Sequence, residues 1–311
     1  MSGAEEFLSS HGLTVFKGLA VAGVGGAIIS KLLMSNNSSS PAAEGKKVFG
    51  RPGPVFTSLA LQSSENVNQN VKRLRFALPN GKDVSGLPLT SALLTCHIPQ
   101  GSYLPVLRPY TPVSPSDQAG TVDFLIKRYP NGKASTHMHS LSPGDKLLFA
   151  VVIPGYKWTA NKHDSVTLVA GGAGITPCYQ LLRGILQNPV DKTRVRLVFG
   201  VNSMAEALLR DEFEQMEQTY GTDRFRAVFA VADGEGVEEA ESASGGMFRK
   251  GFVTEDMLKQ VAAPASEANT KIMVCGPPPM EDALLGKKGW GGRGEGILAR
   301  LGYKKEQIHQ F

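Results

Sequence analysis

Four short stretches of this 311-residue chain carry residues able to do chemistry. In the first, Arg108, Tyr110 and Thr111 lie between and beside Pro109 and Pro112, so a planar cation, an aromatic ring and a hydroxyl fall within four residues. An arginine fork matches a phosphate with two parallel hydrogen bonds, and a tyrosine ring can lie along a flat ring system. On an extended chain Arg108 and Tyr110 face one side, with Thr111 opposite unless the prolines turn it. A surface strand ending in a Pro-bracketed turn is the plainer alternative. In the second stretch, Gly132, Lys133, Ala134 and Ser135 follow a turn signal and open a short helix. Successive backbone amides at a helix start, with hydroxyls beside them, make an anion nest. An ordinary N-cap explains the same residues.

The third stretch is Gly172-Ala173-Gly174-Ile175-Thr176-Pro177. It has the first two glycines of a dinucleotide fingerprint, with Pro177 where the third would pack helix on strand. A strand precedes it, a helix follows, and proline suits a first helical turn. Glycine would then let a ligand approach the backbone closely, with the helix amides facing a diphosphate. The fourth is Cys275-Gly276-Pro277-Pro278-Pro279-Met280, where three prolines stiffen a loop into a wall suited to a planar ring. Cys275 is the one cysteine beside such a loop, although burial as a structural thiol is the common fate. Asp233 follows a strand, where a carboxylate can accept from a ribose 2′-hydroxyl and repel a 2′-phosphate; Asp233-Gly234 is also a good turn. His137 and His139 lack a third ligand at metal spacing, so no metal is expected. No Gly-x-Ser-x-Gly or paired-carboxylate site supports hydrolysis.

Two kinds of element must position these residues. Short apolar alternations at 56–61, 71–78, 92–98, 106–110, 121–128 and 146–152, separated by turn signals, predict a small antiparallel barrel or sandwich. From residue 165 strand and helix alternate: strands at 165–170, 195–199, 225–231 and 271–275, helices at 179–186, 205–220, 254–261 and from 280 to 285. Such alternation predicts βαβ units on a parallel sheet, with ligands at the carboxyl ends of its strands. Gly-rich segments 234–246 and 286–296 are expected as mobile surface loops.

The N-terminus is separate. Residues 18–30 are uncharged, and 13 residues of helix reach only roughly 20 Å against about 30 Å of hydrocarbon. Snorkelling of Lys17 and Lys31 extends the apolar length to 13–34, which can span. A cleaved signal ending near Ala20-Val21-Ala22 is the rival, opposed by Glu5 and Glu6 in its leading region. Residues 35–52 read as a flexible tether, 53–155 as the first domain and 156–311 as the second. Composition is that of a soluble globular chain, and three scattered cysteines exclude a disulfide framework. A net charge of +5 suits an acidic partner or membrane surface and is too small to argue for nucleic acid. Lys133, Lys157 and Lys162 are candidates for a basic face toward an acidic partner.

Taken in order, the four motifs resemble those of the ferredoxin-reductase-like flavoenzymes, and within them the NADH–cytochrome b5 reductase family, most closely its fungal mitochondrial form. The likeness runs from about residue 56 to 311. It implies a membrane anchor, an antiparallel β-barrel that binds FAD, and an α/β parallel-sheet domain that binds NADH. It implies that Arg108 holds a flavin-side phosphate, that Tyr110 and Thr111 line the ribityl chain and ring, and that Gly132, Lys133, Ala134 and Ser135 cradle the diphosphate. Lys127 matches a lysine facing NADH, with Gly172, Gly174, Thr176, Pro177, Gly276 and Pro277 around the dinucleotide and Phe252 beside the adenine. Thr111, Lys127 and Cys275 stand at the catalytic positions. The implied activity is hydride transfer from NADH to FAD, then single electrons to cytochrome b5 or a similar haem acceptor, at the mitochondrial outer membrane. The endoplasmic reticulum membrane, or the intermembrane space after processing, is the alternative location. A flavin diaphorase with a different acceptor, or a non-enzymatic module on the same fold, are the alternative functions. Two departures stand out: Ala173 where the family usually has threonine, and Val151-Val152 in place of a usual Gly-Pro.

Overall fold

The computed structural model describes residues 45–238, 246–289 and 292–311. The expected anchor at 1–34, and the tether as far as residue 44, lie outside the described residues. Among the described residues no helix is long and apolar enough to cross a membrane.

The first half contains strands β1 (Gly53–Asn66), β2 (Val71–Ala77), β3 (Ala92–His97), β4 (Val106–Tyr110), β5 (Thr121–Lys127) and β6 (Lys146–Ile153), with helix α1 (Lys133–Ser140) between the last two. They form an antiparallel sheet in the order β4-β3-β6-β1-β2-β5. The predicted barrel is therefore corrected to an open half-barrel, with β4 and β5 as its edges. Pro109 lacks an amide hydrogen, which suits β4 to an edge position. Helix α1 lies against both edge strands and fills the seam. On this helix Met138 is buried among the sheet's core side chains, while His139 Nε2 donates to Ile126 O at 2.8 Å and satisfies a carbonyl of edge strand β5. Behind the seam Phe76 meets Phe149 edge to face at 5.3 Å, and Phe124 stacks on Phe149 at 5.5 Å. Val151 and Val152 stay in β6 and pair with both β1 and β3, but the register to each neighbour shifts between Phe149 and Val151, so an irregularity sits directly before the position where the family usually has Gly-Pro.

The second half runs β7 (Ser165–Gly171), α2 (Ile175–Gln187), β8 (Arg194–Val201), α3 (Arg210–Tyr220), β9 (Phe225–Val231), β10 (Phe248–Lys250), α4 (Glu255–Val261), β11 (Thr270–Cys275), α5 (Pro278–Leu285), β12 (Lys288–Gly289), β13 (Gly292–Arg293), α6 (Ile297–Arg300) and β14 (Ile308–Gln310). The sheet is parallel in the order β10-β9-β8-β7-β11-β14. The two-residue side-chain period of its strands serves both faces. Val166, Leu168 and Ala170 pack with α2 and α3, whereas Val169, Val198 and Val274 pack with α4, α5 and α6. The helix expected over 205–220 starts only at Arg210. Leu209 is left-handed, with φ 59°, and breaks it from the short 3-10 turn Met204–Glu206. Part of the expected loop at 286–296 is the β12–β13 hairpin, with residues 290–291 outside the description; of the loop at 234–246, residues 239–245 are outside it. Strand order reverses between β7 and β11, which leaves a crevice at their carboxyl ends.

Candidate active site

The third and fourth motifs meet in that crevice. Gly171 ends β7, and Gly172–Gly174 makes a single 3-10 turn before α2. Cys275 ends β11, and Pro278 begins α5. The loops touch backbone to backbone: a Cβ on Gly174 would sit 2.1 Å from Cys275 O, so only glycine permits this approach. One on Gly276 would sit 2.3 Å from Met280 Cε. Gly172 is the opposite case. Its φ is +51°, and a Cβ there would face open space, with Lys127 Nζ at 4.0 Å. Thr176 Oγ1 donates to Ala173 O at 3.2 Å and Pro177 is buried, so both hold the turn. The α2 N-terminus has no side-chain cap, and its first amide, that of Ile175, is taken by the Gly172 and Ala173 carbonyls of the preceding turn.

Cys275 is half-buried. Burial, reinforced by the Glu281 charge, pushes its pKa up to about 12, so it is a neutral thiol at physiological pH and no thiolate nucleophile. Glu281 accepts from the Gly276 amide at 3.2 Å and from Gln310 Nε2 at 2.5 Å, tying the proline loop to the C-terminal strand.

The flavin-side candidates lie at the open edges of the half-barrel. Arg108 is exposed on β4, and its guanidinium donates from Nη1 to Leu107 O at 2.8 Å. Tyr110 is half-buried against the core, and burial carries its hydroxyl up to about 12 against the opposing Arg108 charge. Thr111 is half-buried after the strand. The segment that follows it is pinned from the other domain: Arg183 on α2 donates to Val113 O at 2.6 Å and Gln180 to Pro112 O at 3.4 Å. Gly132 is the N-cap of α1, with no side chain capping the helix amides and Lys133 exposed beside them. Ala134 and Ser135 are buried. The Ser135 hydroxyl is engaged within the turn, accepting from Tyr129 N at 3.2 Å and donating to Gly132 O at 3.1 Å.

Asp233 and Phe252 follow two neighbouring strands, β9 and β10. In the β9–β10 register Val231 lies opposite Lys250, and the exposed Asp233 and the exposed Phe252 each follow two residues later, beyond the carboxyl ends of those strands. The histidine pair does not make a site. His137 stacks on His97, and His139 serves β5. Among the described residues no cluster of three or more His, Cys, Asp or Glu is arranged to hold a metal.

Sequence reasoning missed three contributors. Tyr129 reaches across to the dinucleotide loop: burial raises its hydroxyl's pKa, the nearby Ala173 backbone opposes the rise, and Cys275 and Glu206 add to it. Its place directly before the Pro130-Asn131-Gly132 turn was the available signal. Glu206, paired with Lys127 at 2.9 Å, and Arg183 carried no motif.

These features suit two ligands. An exposed arginine in no ion pair among the described residues, an aromatic ring and an uncapped helix start fit a flavin with a diphosphate, and glycine loops at a topological switch point fit a nicotinamide dinucleotide. Residues 58–152 match the family described as Oxidoreductase FAD-binding domain, and 168–285 the Oxidoreductase NAD-binding domain. The chain is 44% identical over 302 residues to NADH-cytochrome b5 reductase 2 of Pyricularia oryzae, covering 94% of this chain and 88% of that protein. The chain belongs to the NADH–cytochrome b5 reductase family. The Botryotinia fuckeliana protein of the same name is 47% identical over 270 residues, covering 86% of this chain and 75% of its own length. Among solved structures, the cytochrome b5 reductase domain of Ulva prolifera nitrate reductase superposes with a TM-score of 0.68 at 25% identity, over 82% of this chain and 97% of that domain. As a member of the NADH–cytochrome b5 reductase family, the protein is an oxidoreductase that uses FAD and NADH.

Proposed function

We propose that the protein takes a hydride from NADH onto FAD and passes single electrons to cytochrome b5 or a similar one-electron haem acceptor, held at the mitochondrial outer membrane by residues 1–34. The observation that carries the electron route is the meeting of the two half-sites. Lys127 and Tyr129, at the end of β5 and just after it, reach Gly172 and Ala173 in the dinucleotide loop, so a ring on one side would lie against a ring on the other. Bound flavin supplies the conversion from two-electron to one-electron transfer that no side chain provides. In this reading Arg108, Gly132, Lys133 and the buried turn of Ala134 and Ser135 hold the flavin's phosphates, and Tyr110 and Thr111 line its ring and ribityl chain. Gly172, Gly174, Thr176, Pro177, Gly276 and Pro277 form the dinucleotide cleft, with Asp233 selecting the unphosphorylated ribose and Phe252 beside the adenine. Cys275, as a neutral thiol, packs the reacting edge and keeps water from it. Relatives named cytochrome b5 reductases support the acceptor, and the apolar length of 13–34 supports the anchor.

The test uses the full chain purified in detergent. Its visible spectrum should show bound flavin, anaerobic NADH should bleach it, and added cytochrome b5 should be reduced. Bleaching without haem reduction would overturn the acceptor, and a colourless protein would overturn the flavin roles. Release from mitochondrial outer membranes by carbonate would overturn the anchor.

A further inference from the structure

An ion pair between Lys127 and Glu206 joins the two domains at the mouth of the crevice. Lys127, the last residue of β5, places Nζ 2.9 Å from Glu206 Oε2, with only 14% and 21% of the two side chains exposed. Two further donors hold the carboxylate: Asn202 Nδ2 at 2.9 Å on Oε2, and Asn70 Nδ2 at 3.2 Å on Oε1. Neighbouring contacts brace the same seam, with Asn68 Nδ2 donating to Ala205 O at 3.1 Å and Arg73 pairing with Glu212 at 3.4 Å. Burial opposes ionisation of Glu206, but hydrogen bonds from Lys127 and Asn70 outweigh it and keep the carboxyl below the ordinary glutamate range.

An ammonium has three N–H donors, and Glu206 takes one. Lys127 Nζ also lies 4.0 Å from where a Cβ on Gly172 would stand, the one contact from elsewhere in the chain among the described residues. A lysine on a four-carbon stem loses much rotamer freedom when a ligand must order it. Here the ordering is already done by a carboxylate that is itself fixed from both domains.

We propose that Glu206 is the positioning residue of the dinucleotide site: it holds the Lys127 ammonium over the Gly172 turn, so that NADH meets a cation already in place. This rests on NADH being the donor. Glu206 touches neither ring in this scheme and acts through Lys127 alone.

The experiment uses the flavin-loaded full chain with ferricyanide as acceptor, so that no haem partner enters. Glu206→Gln should raise KM for NADH roughly fivefold to tenfold, the cost of ordering one long side chain, with kcat within about twofold. Calorimetric titration with NAD+ should weaken by the same factor, and the ratio of flavin to protein absorbance should stay constant. Glu206→Asp, which keeps the charge, should recover most of the loss. In a Lys127→Met background, Glu206→Gln should add less than about twofold, because partners in one interaction are not additive. Additive losses, a loss confined to kcat, or lost flavin would overturn the proposal. A lowered KM would overturn it too, showing that Glu206 competes with the dinucleotide for Lys127. Wild-type protein that NADH fails to reduce would instead remove the donor assignment, and this role with it.

Discussion

Around Gly174 the protein keeps its shape by backbone packed on backbone, whereas around Arg108 it extends side chains from the open edge of a sheet. In the crevice, the turn after β7 and the loop after β11 approach so closely that the Cβ of alanine would overlap a carbonyl oxygen. Two adjacent parallel strands, β7 and β11, and the helix starts that follow them converge there, and little can yield. On the flavin side the donors belong to β4 and to the end of an eight-residue helix that plugs a seam. Each can be removed without forcing its neighbours apart. A rigid site should fail through geometry, and a site of extended donors should fail through affinity.

Gly174→Ala tests the first half and should have the largest effect. Gly174 has φ −64°, so the obstacle is space and not backbone conformation. The new methyl must push Cys275 and Gly276 away, and displacement of about 1 Å at a reacting centre can cost on the order of 100-fold in rate. NADH-dependent ferricyanide reduction should fall by about that factor, with FAD content unchanged. A variant of near-normal kcat/KM would show that the crevice is softer than its packing indicates. Arg108→Ala tests the other half. Loss of a charge-assisted hydrogen bond costs about 1.5–3 kcal/mol, or roughly 10- to 100-fold in FAD affinity. Flavin released on ultrafiltration should rise accordingly, while excess FAD restores turnover. Irreversible loss of activity would erase the contrast between the two halves.

The same contrast explains what the sequence made legible. Backbone-built features leave a mark, since glycine and proline are placed for conformation: the 172–177 and 275–280 loops could be located, along with the strands before them and the direction of the sheet. Side-chain contacts across the domain seam leave none. Lys127 was found only through resemblance, and its partner Glu206, 79 residues on, has no pattern of its own. The apolar alternation in the first half showed six strands but not closure, because closure depends on whether β4 and β5 pair or admit a helix. The helix expected at 205–220 was too long because periodicity does not register one left-handed leucine.

The smallest predicted effect probes the seam itself. His97, at the end of β3, stacks on His137 of α1 with ring centroids 4.1 Å apart and planes 4° from parallel. Burial, and then the neighbouring His137, push His97 down to about 4, and burial lowers His137 against the opposing charge of Asp145. His139, next on the helix, is lowered by burial, with Lys72 and Arg128 adding to the effect and the bond to Ile126 O opposing it. The unfolded chain therefore binds more protons than the folded one between pH about 6.5 and 4, so stability is full above that window and declines as pH falls through it. His97→Phe keeps a ring against His137 and removes one titrating group. Its melting temperature should fall less than that of wild type between pH 7.5 and 5, by roughly 2–4 °C for each 1 kcal/mol retained. Because α1 also opens with Gly132 and Lys133, flavin release at pH 5 should slow in step, whereas the NAD+ affinity of the crevice should not change between the two proteins. Equal acid sensitivity in both would place the acid-labile contacts outside the seam, and a change in NAD+ affinity would show that the two half-sites are coupled through it.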